Sequence, residues 1–159
     1  MNNVRIAQLQ QQSVALLQQL VEIPSFSREE DQTAQLIADF LTTQGIATER
    51  IENNIIAYNK YFDANKPTIL LNSHHDTVKP NPGYTREPFQ AEIIDGKRYG
   101  LGSNDAGGCL VALIAAFCYY YELQDLPYNL CLIASAEEEV SGQNGVELAY
   151  ASIAPCSFA

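Results

Sequence analysis

Leu9, Leu16, Leu17 and Leu20 recur at helical spacing through a glutamine-rich opening segment. That helix is expected to end before Pro24, because the residue ahead of a proline is pushed out of the helical region. A second stripe, Ala34, Ile37, Ala38 and Leu41, predicts a second helix. Ser27 is placed as its N-cap, with Glu30 three residues on as a capping box and Gly45 as its C-terminal stop. The pattern then changes to short continuous apolar runs. "NNIIAYNKY", "TILLNSH" and "NLCLIASA" read as strands, and "ATERI" as a weaker one. "KPNPGYTREPF" is a loop, and "QAEIIDGKRYG" a small hairpin turning at Asp95-Gly96. A long apolar helix is expected from about Asp105 to Leu123, and a short one from Gln143 to Tyr150.

Strands as apolar as "TILLN" and "LCLIA" predict a sheet covered on both faces. The expected fold is α/β, with a mixed, largely parallel central sheet flanked by helices. In such sheets, sites gather at the C-terminal ends of the strands.

Composition narrows the function classes. A chain of 159 residues with 47% hydrophobic content is long enough for one domain with a sizeable core. Its formal charge of -10 argues against nucleic acid or an anionic membrane surface as partner. The four cysteines form no CxxC pair, so a zinc knuckle is not expected. Three of them lie in apolar runs and read as reduced core thiols, which implies a reducing compartment. The first residues are too polar for a signal peptide, and "CLVALIAAFCYYY" is too short to span a membrane. A cytoplasmic protein is expected.

Three polar clusters interrupt this apolar frame. His74 and His75 are the only histidines, and both sit where a strand meets a loop, with Asp76 beside them. Residues two apart on a strand share a face, so His74 can bind a cation while Asp76 holds its other nitrogen. His75 points the other way, toward a packing or hydrogen-bonding role. In "YGLGSNDAGG", Gly100 and Gly102 resemble the start of a phosphate loop, but Asp105 would repel a pyrophosphate. Asp105 reads either as an N-cap or as a carboxylate that bridges two ions. Glu137, Glu138 and Glu139 follow a buried strand, and three adjacent carboxylates need a cation or hydrogen bonds to offset their repulsion. One can bind metal while a neighbour acts as general base. Imidazole and carboxylate ligands without thiolate suit zinc, cobalt or manganese.

With these three motifs in order, "SHHDTV", "GLGSNDAGG" and "SAEEEVSG", the chain resembles the M20 family of metallopeptidases and amide hydrolases. "LVEIPSFSREEDQTAQLIADFLTTQG" is similar to the family's opening helix pair. The resemblance implies a zinc-exopeptidase-like catalytic domain holding two divalent ions, zinc or cobalt. By position, His74 and Glu139 would bind metal, Asp105 would bridge both ions, Asp76 would orient His74, and Glu138 would be the general base. The family often has a cis peptide after the bridging aspartate. It often has a lysine where Gly107 stands. The tone of the segments resembles the acetylornithine deacetylase branch, which implies removal of an acyl group from a small N-acylated amino acid. Dipeptidase, carboxypeptidase and succinyl-diaminopimelate desuccinylase activities are the alternatives within the family.

Family members are longer. They add an acidic ligand, a lid domain that mediates a homodimer, and a late histidine ligand. Residues 1–159 are therefore expected to be the N-terminal portion of one catalytic domain, without the lid and inactive alone. Their last residues are expected to lead into a further strand.

Overall fold

The computed structural model describes residues 3–159. Helix α1 (Asn3–Glu22) and helix α2 (Asp31–Thr43) lead into strands β1 (Glu49–Ile51), β2 (Asn54–Tyr58) and β3 (Thr68–His74). A two-stranded hairpin, β4 (Ile93–Ile94) and β5 (Lys97–Arg98), turns at Asp95 and Gly96, both with positive φ. That is the backbone a tight two-residue hairpin requires. Helix α3 (Cys109–Tyr120), strand β6 (Asn129–Ser135) and helix α4 (Val146–Ser152) follow.

The main sheet runs β1-β2-β6-β3. Side chains alternate across it, and each face has its own cover. Ile55, Ala57, Leu130, Leu132 and Ala134 pack on α1, α2 and α3, around the fully buried Leu16, Ile37, Leu41, Leu110, Ile114 and Phe117. Each such side chain contributes roughly 1.5–3 kcal/mol over its exposed state. Ile56, Leu70, Cys131 and Ile133 face the other way, toward Ala149 of α4. Every residue of β6 is buried.

The sheet is not largely parallel. Only β3 and β6 run parallel, while β1–β2 and β2–β6 are antiparallel. Apolarity reports burial on both faces, which is blind to strand direction. Direction follows from the connections. Glu52 and Asn53 form a tight turn that forces β1 and β2 antiparallel, and the one helical crossover between paired strands is the α3 connection from β3 to β6. Along the free side of β3, Ser157 N donates to Thr68 O and Leu70 N to Phe158 O, both at 2.8 Å. The final residues thus begin a parallel pairing at that edge.

Two helix starts also differ from expectation. Helix α2 begins at Asp31, so Glu30 rather than Ser27 occupies the N-cap position, and it makes no side-chain cap bond. The segment before α3 is a wide, irregular turn over Ser103–Gly108, with Asp105 extended at φ -115 and ψ 100. Asp105 is therefore no N-cap. Gly107 lies in close contact there, since a Cβ would meet Gly102 O at 2.6 Å.

The cysteines give a direct test of this packing. Burial pushes the thiols of Cys118 and Cys131 up, to about 11 and about 12. Cys109 is exposed and Cys156 half-buried. At pH 8 a thiol reagent is expected to modify Cys109 first and Cys156 more slowly, with Cys118 and Cys131 reacting only after denaturation. Equal rates at all four, followed by peptide mass mapping, would contradict this core.

Candidate metal centre

The parallel register of β3 and β6 sets His74 opposite Ser135, so both strands end at one place. The chain beyond β3 supplies Asp76, and the chain beyond β6 supplies Glu137, Glu138 and Glu139. Asp105 reaches the same place from the turn before α3. The structure therefore brings together His74, Asp76, Asp105, Glu138 and Glu139, from three separate segments.

Asp76 is wholly buried and is the hub of the arrangement. Its Oδ2 accepts from Ser27 Oγ at 2.8 Å and from Glu139 N at 3.1 Å. Its Oδ1 accepts from Glu138 N at 3.0 Å and lies 3.4 Å from His74 Nδ1. Burial pushes this carboxyl up, but the bonds from His74, Ser27 and the two backbone N–H groups outweigh it and hold the group down at about 2.

His74 Nδ1 also lies 3.0 Å from the backbone O of Asp76. A ring nitrogen facing two acceptors carries a proton, so Nδ1 donates to Asp76. The other nitrogen, Nε2, lies 3.2 Å from Asp105 Oδ1 and 3.6 Å from Glu138 Oε2. In the absence of a cation, the imidazole sits among carboxylates. The bond to Asp76 is the main reason its pKa is pushed up to about 9, against the opposing effect of burial. A metal ion would take the place of the Nε2 proton.

His75 is separate. Its Nε2 donates to Asn53 O at 3.0 Å, leaving Nδ1 to accept from the Thr33 hydroxyl at 2.9 Å. Burial lowers its pKa, so the ring is neutral.

The three glutamates divide by position. Glu137 has a left-handed backbone and a buried side chain, whose Oε1 accepts from Asn144 Nδ2 at 3.0 Å. Glu138 and Glu139 follow in a single turn of tight helix. The Glu138 side chain is 55% exposed beside His74. The pKa of Glu139 is raised, first by burial and then by the charge of Asp105.

His74, Asp105 and Glu139 each offer one donor atom, all within 4.8 Å of one another. One imidazole and two carboxylates, without sulfur, fit zinc, cobalt or manganese. The charge of Asp105 adds to burial in raising the Glu139 pKa, a repulsion that a bound cation would relieve. Three donors are too few for two complete coordination spheres. A groove of about 550 Å³ opens from Asp105 and Glu139 along the 83–88 loop and Tyr99–Asn104. The peptide bond between Asp105 and Ala106 is cis.

Two residues had another role in the sequence reading. Ser27 holds Asp76 rather than capping α2. Glu30, fully buried, accepts from Arg28 N at 2.7 Å and Glu137 N at 3.1 Å on Oε1, and from Asn53 Nδ2 at 2.8 Å on Oε2. It ties the acidic turn to the start of α2. The serine–glutamate spacing was visible, but local spacing favours a cap, whereas their partners lie far along the chain.

A family model described as "Peptidase family M20/M25/M40" matches residues 70–155. A succinyl-diaminopimelate desuccinylase of Delftia acidovorans is 26% identical over 147 residues, covering 86% of this chain and 38% of its own length. Human carnosine dipeptidase 1 superposes with a TM-score of 0.72 at 25% identity, covering 91% of this chain and 36% of its own. The YXEP protein of Bacillus subtilis, described as a dinuclear metal binding peptidase from the M20 family, has a TM-score of 0.63 at 18% identity. It covers 92% of this chain and 39% of its own, and at that identity it supports the fold alone. The chain thus spans well under half the length of the relatives it matches. Among the described residues, no helix is long and apolar enough to cross a membrane.

Proposed function

The chain belongs to peptidase family M20/M25/M40, and from that premise we propose that the whole protein hydrolyses the amide bond of a small N-acyl amino acid with two divalent cations. The observation that carries this reading is the convergence of His74, Asp105 and Glu139 within 4.8 Å, with Glu138 beside them. When bound, the cations supply Lewis acidity that polarises the amide carbonyl and makes the attacking water easier to deprotonate.

The chain's own residues do the rest. Glu138 is 55% exposed, with its Oε2 3.6 Å from His74 Nε2, and is assigned the proton transfer. Its carboxylate takes the proton of the attacking water and delivers it to the amide nitrogen as the C–N bond breaks. Asp76 keeps the Nδ1 proton of His74, so Nε2 presents its lone pair. The same carboxylate fixes the backbone of Glu138 and Glu139. Base, ligand and imidazole are thereby registered by one buried group. Glu137 is read as a structural partner of Asn144.

The acyl group is the finer part of the proposal. The motif tone favours acetyl, as in acetylornithine deacetylase, whereas the matched curated relatives are named desuccinylases. The lid domain and homodimer expected for the whole protein rest on the resemblance alone. A second reading concerns the 159 residues by themselves. With three donors they would hold metal incompletely and be inert.

The test is amine release from N-acetyl and N-succinyl amino acids and from dipeptides, using the whole protein loaded with zinc or cobalt. Release from at least one N-acyl amino acid is expected. A loaded protein that leaves all of them intact contradicts the proposal.

A further inference from the structure

The groove beside the metal ligands also carries a side chain of opposite charge. Among the residues that line it, Arg86 is the one cation, and Asp105 and Glu139 line the same groove. Its guanidinium carbon lies 4.1 Å from the ring centroid of Tyr99, a stacked arrangement that holds the planar group on an aromatic face. One terminal nitrogen, NH1, bonds Glu92 Oε2 at 3.1 Å. The other terminal nitrogen and Nε have no protein partner among the described residues, and the side chain is 43% exposed.

The platform is built by the backbone. Tyr99 N donates to Glu92 O at 2.9 Å, and Leu101 N donates to Pro88 O at 2.7 Å. These bonds tie the loop carrying Arg86 to the segment that continues through Gly100 and Gly102 to Asp105. Gly100, at φ 141, packs so closely on Val21 that no side chain fits there. Arg86 is thus connected to the metal ligands by a short, closely packed stretch.

A chain with a formal charge of -10 gains nothing from a generic anion site. A guanidinium with free donors, stacked in a groove that leads to metal ligands, suits one anionic group on a molecule whose other part lies at those ligands. We propose that Arg86, positioned by Tyr99, is a specificity-determining residue that binds a free carboxylate of the substrate during amide hydrolysis. This rests on the function proposed above. The carboxylate belongs either to the acyl group or to the amino acid, and Arg86 recognises the same chemistry in both cases. Glu87, also on the groove, and Glu92 oppose a second anionic group, which favours substrates with a single carboxylate beside Arg86.

The experiment compares matched substrates on the metal-loaded whole protein. One pair is N-succinyl against the uncharged N-butyryl derivative of the same amino acid. The other is an N-acyl amino acid against its α-carboxamide. Arg86→Gln is expected to lower kcat/KM for the carboxylate-bearing member of one pair by roughly tenfold, with its neutral counterpart unchanged. The pair that responds identifies which carboxylate is bound. Arg86→Lys restores part of the loss, and Tyr99→Leu reproduces part of it. Equal losses on charged and neutral substrates, or no change in either ratio, would overturn the role of Arg86 while leaving the hydrolase reading intact. If the wild type cleaves no amide, binding of succinate by NMR titration separates the two proposals. Binding lost in Arg86→Gln upholds the carboxylate site without the hydrolase, and binding unchanged or absent overturns it.

Discussion

Replacing Asp76 by alanine is expected to cost about 3–5 kcal/mol of stability, a large part of what holds a domain of this size together. Asp76 is fully buried, and its loss strands the Ser27 hydroxyl, two backbone N–H groups and the His74 ring at once. Urea unfolding of this chain in a chelator measures the loss. Ser27→Ala, which removes one of the four partners, is expected to cost about 1 kcal/mol. The pH dependence provides a second signature. The His74 pKa is raised to about 9 from 6.5, so its stabilisation is complete below pH 6.5 and is lost as the pH rises through about 9. The Asp76 pKa is lowered to about 2 from 3.8, so its stabilisation is present above pH 3.8 and is lost as the pH falls through about 2. Metal-free wild type should therefore show a plateau between those two ordinary values. Asp76→Ala should remove the acid slope and weaken the alkaline one, since Asp105 also raises the His74 pKa. An Asp76→Ala chain with the wild-type midpoint and pH profile would show that the carboxylate is not the hub.

The residues differ in how far they could be read from sequence. The stripes of α1 and α2, the apolar runs of β2, β3 and β6, and the Asp95-Gly96 turn are local signals, and each element forms at its signal, with α2 starting later than a Ser27 cap implies, at Asp31. Strand direction was not legible, because burial on both faces makes parallel and antiparallel strands equally apolar. From sequence Ser27 reads as a cap and Asp105 as either a cap or a bridging ligand, since a polar residue before an apolar stripe is most simply a cap. Ser27 instead bonds a carboxylate 49 positions away, and Asp105 lies in an extended kink. The glutamate triplet gave no local reason to separate its members. The separation comes from a left-handed backbone at Glu137, which aims that side chain at Asn144.

Replacing Glu138 by glutamine is expected to lower kcat of the whole protein by roughly 10²–10⁴-fold, the range for loss of a positioned proton carrier. The amide is nearly isosteric but cannot take the proton of water. Metal content and KM should change little, because Glu138 is not among the three clustered donors. Glu137→Gln should leave kcat within a few-fold of wild type, because that side chain is held by Asn144. Steady-state kinetics with elemental analysis of the same samples checks both. If Glu137→Gln abolished turnover and Glu138→Gln did not, the base would be assigned to the wrong glutamate.

The most direct test of the metal centre is a cobalt titration of this chain, followed by the visible absorption of the bound ion. Saturable binding is expected, with affinity reduced at least tenfold by each of His74→Ala, Asp105→Ala and Glu139→Ala, and unchanged by Glu137→Gln. Binding of equal strength in wild type and in all three ligand variants would contradict the site.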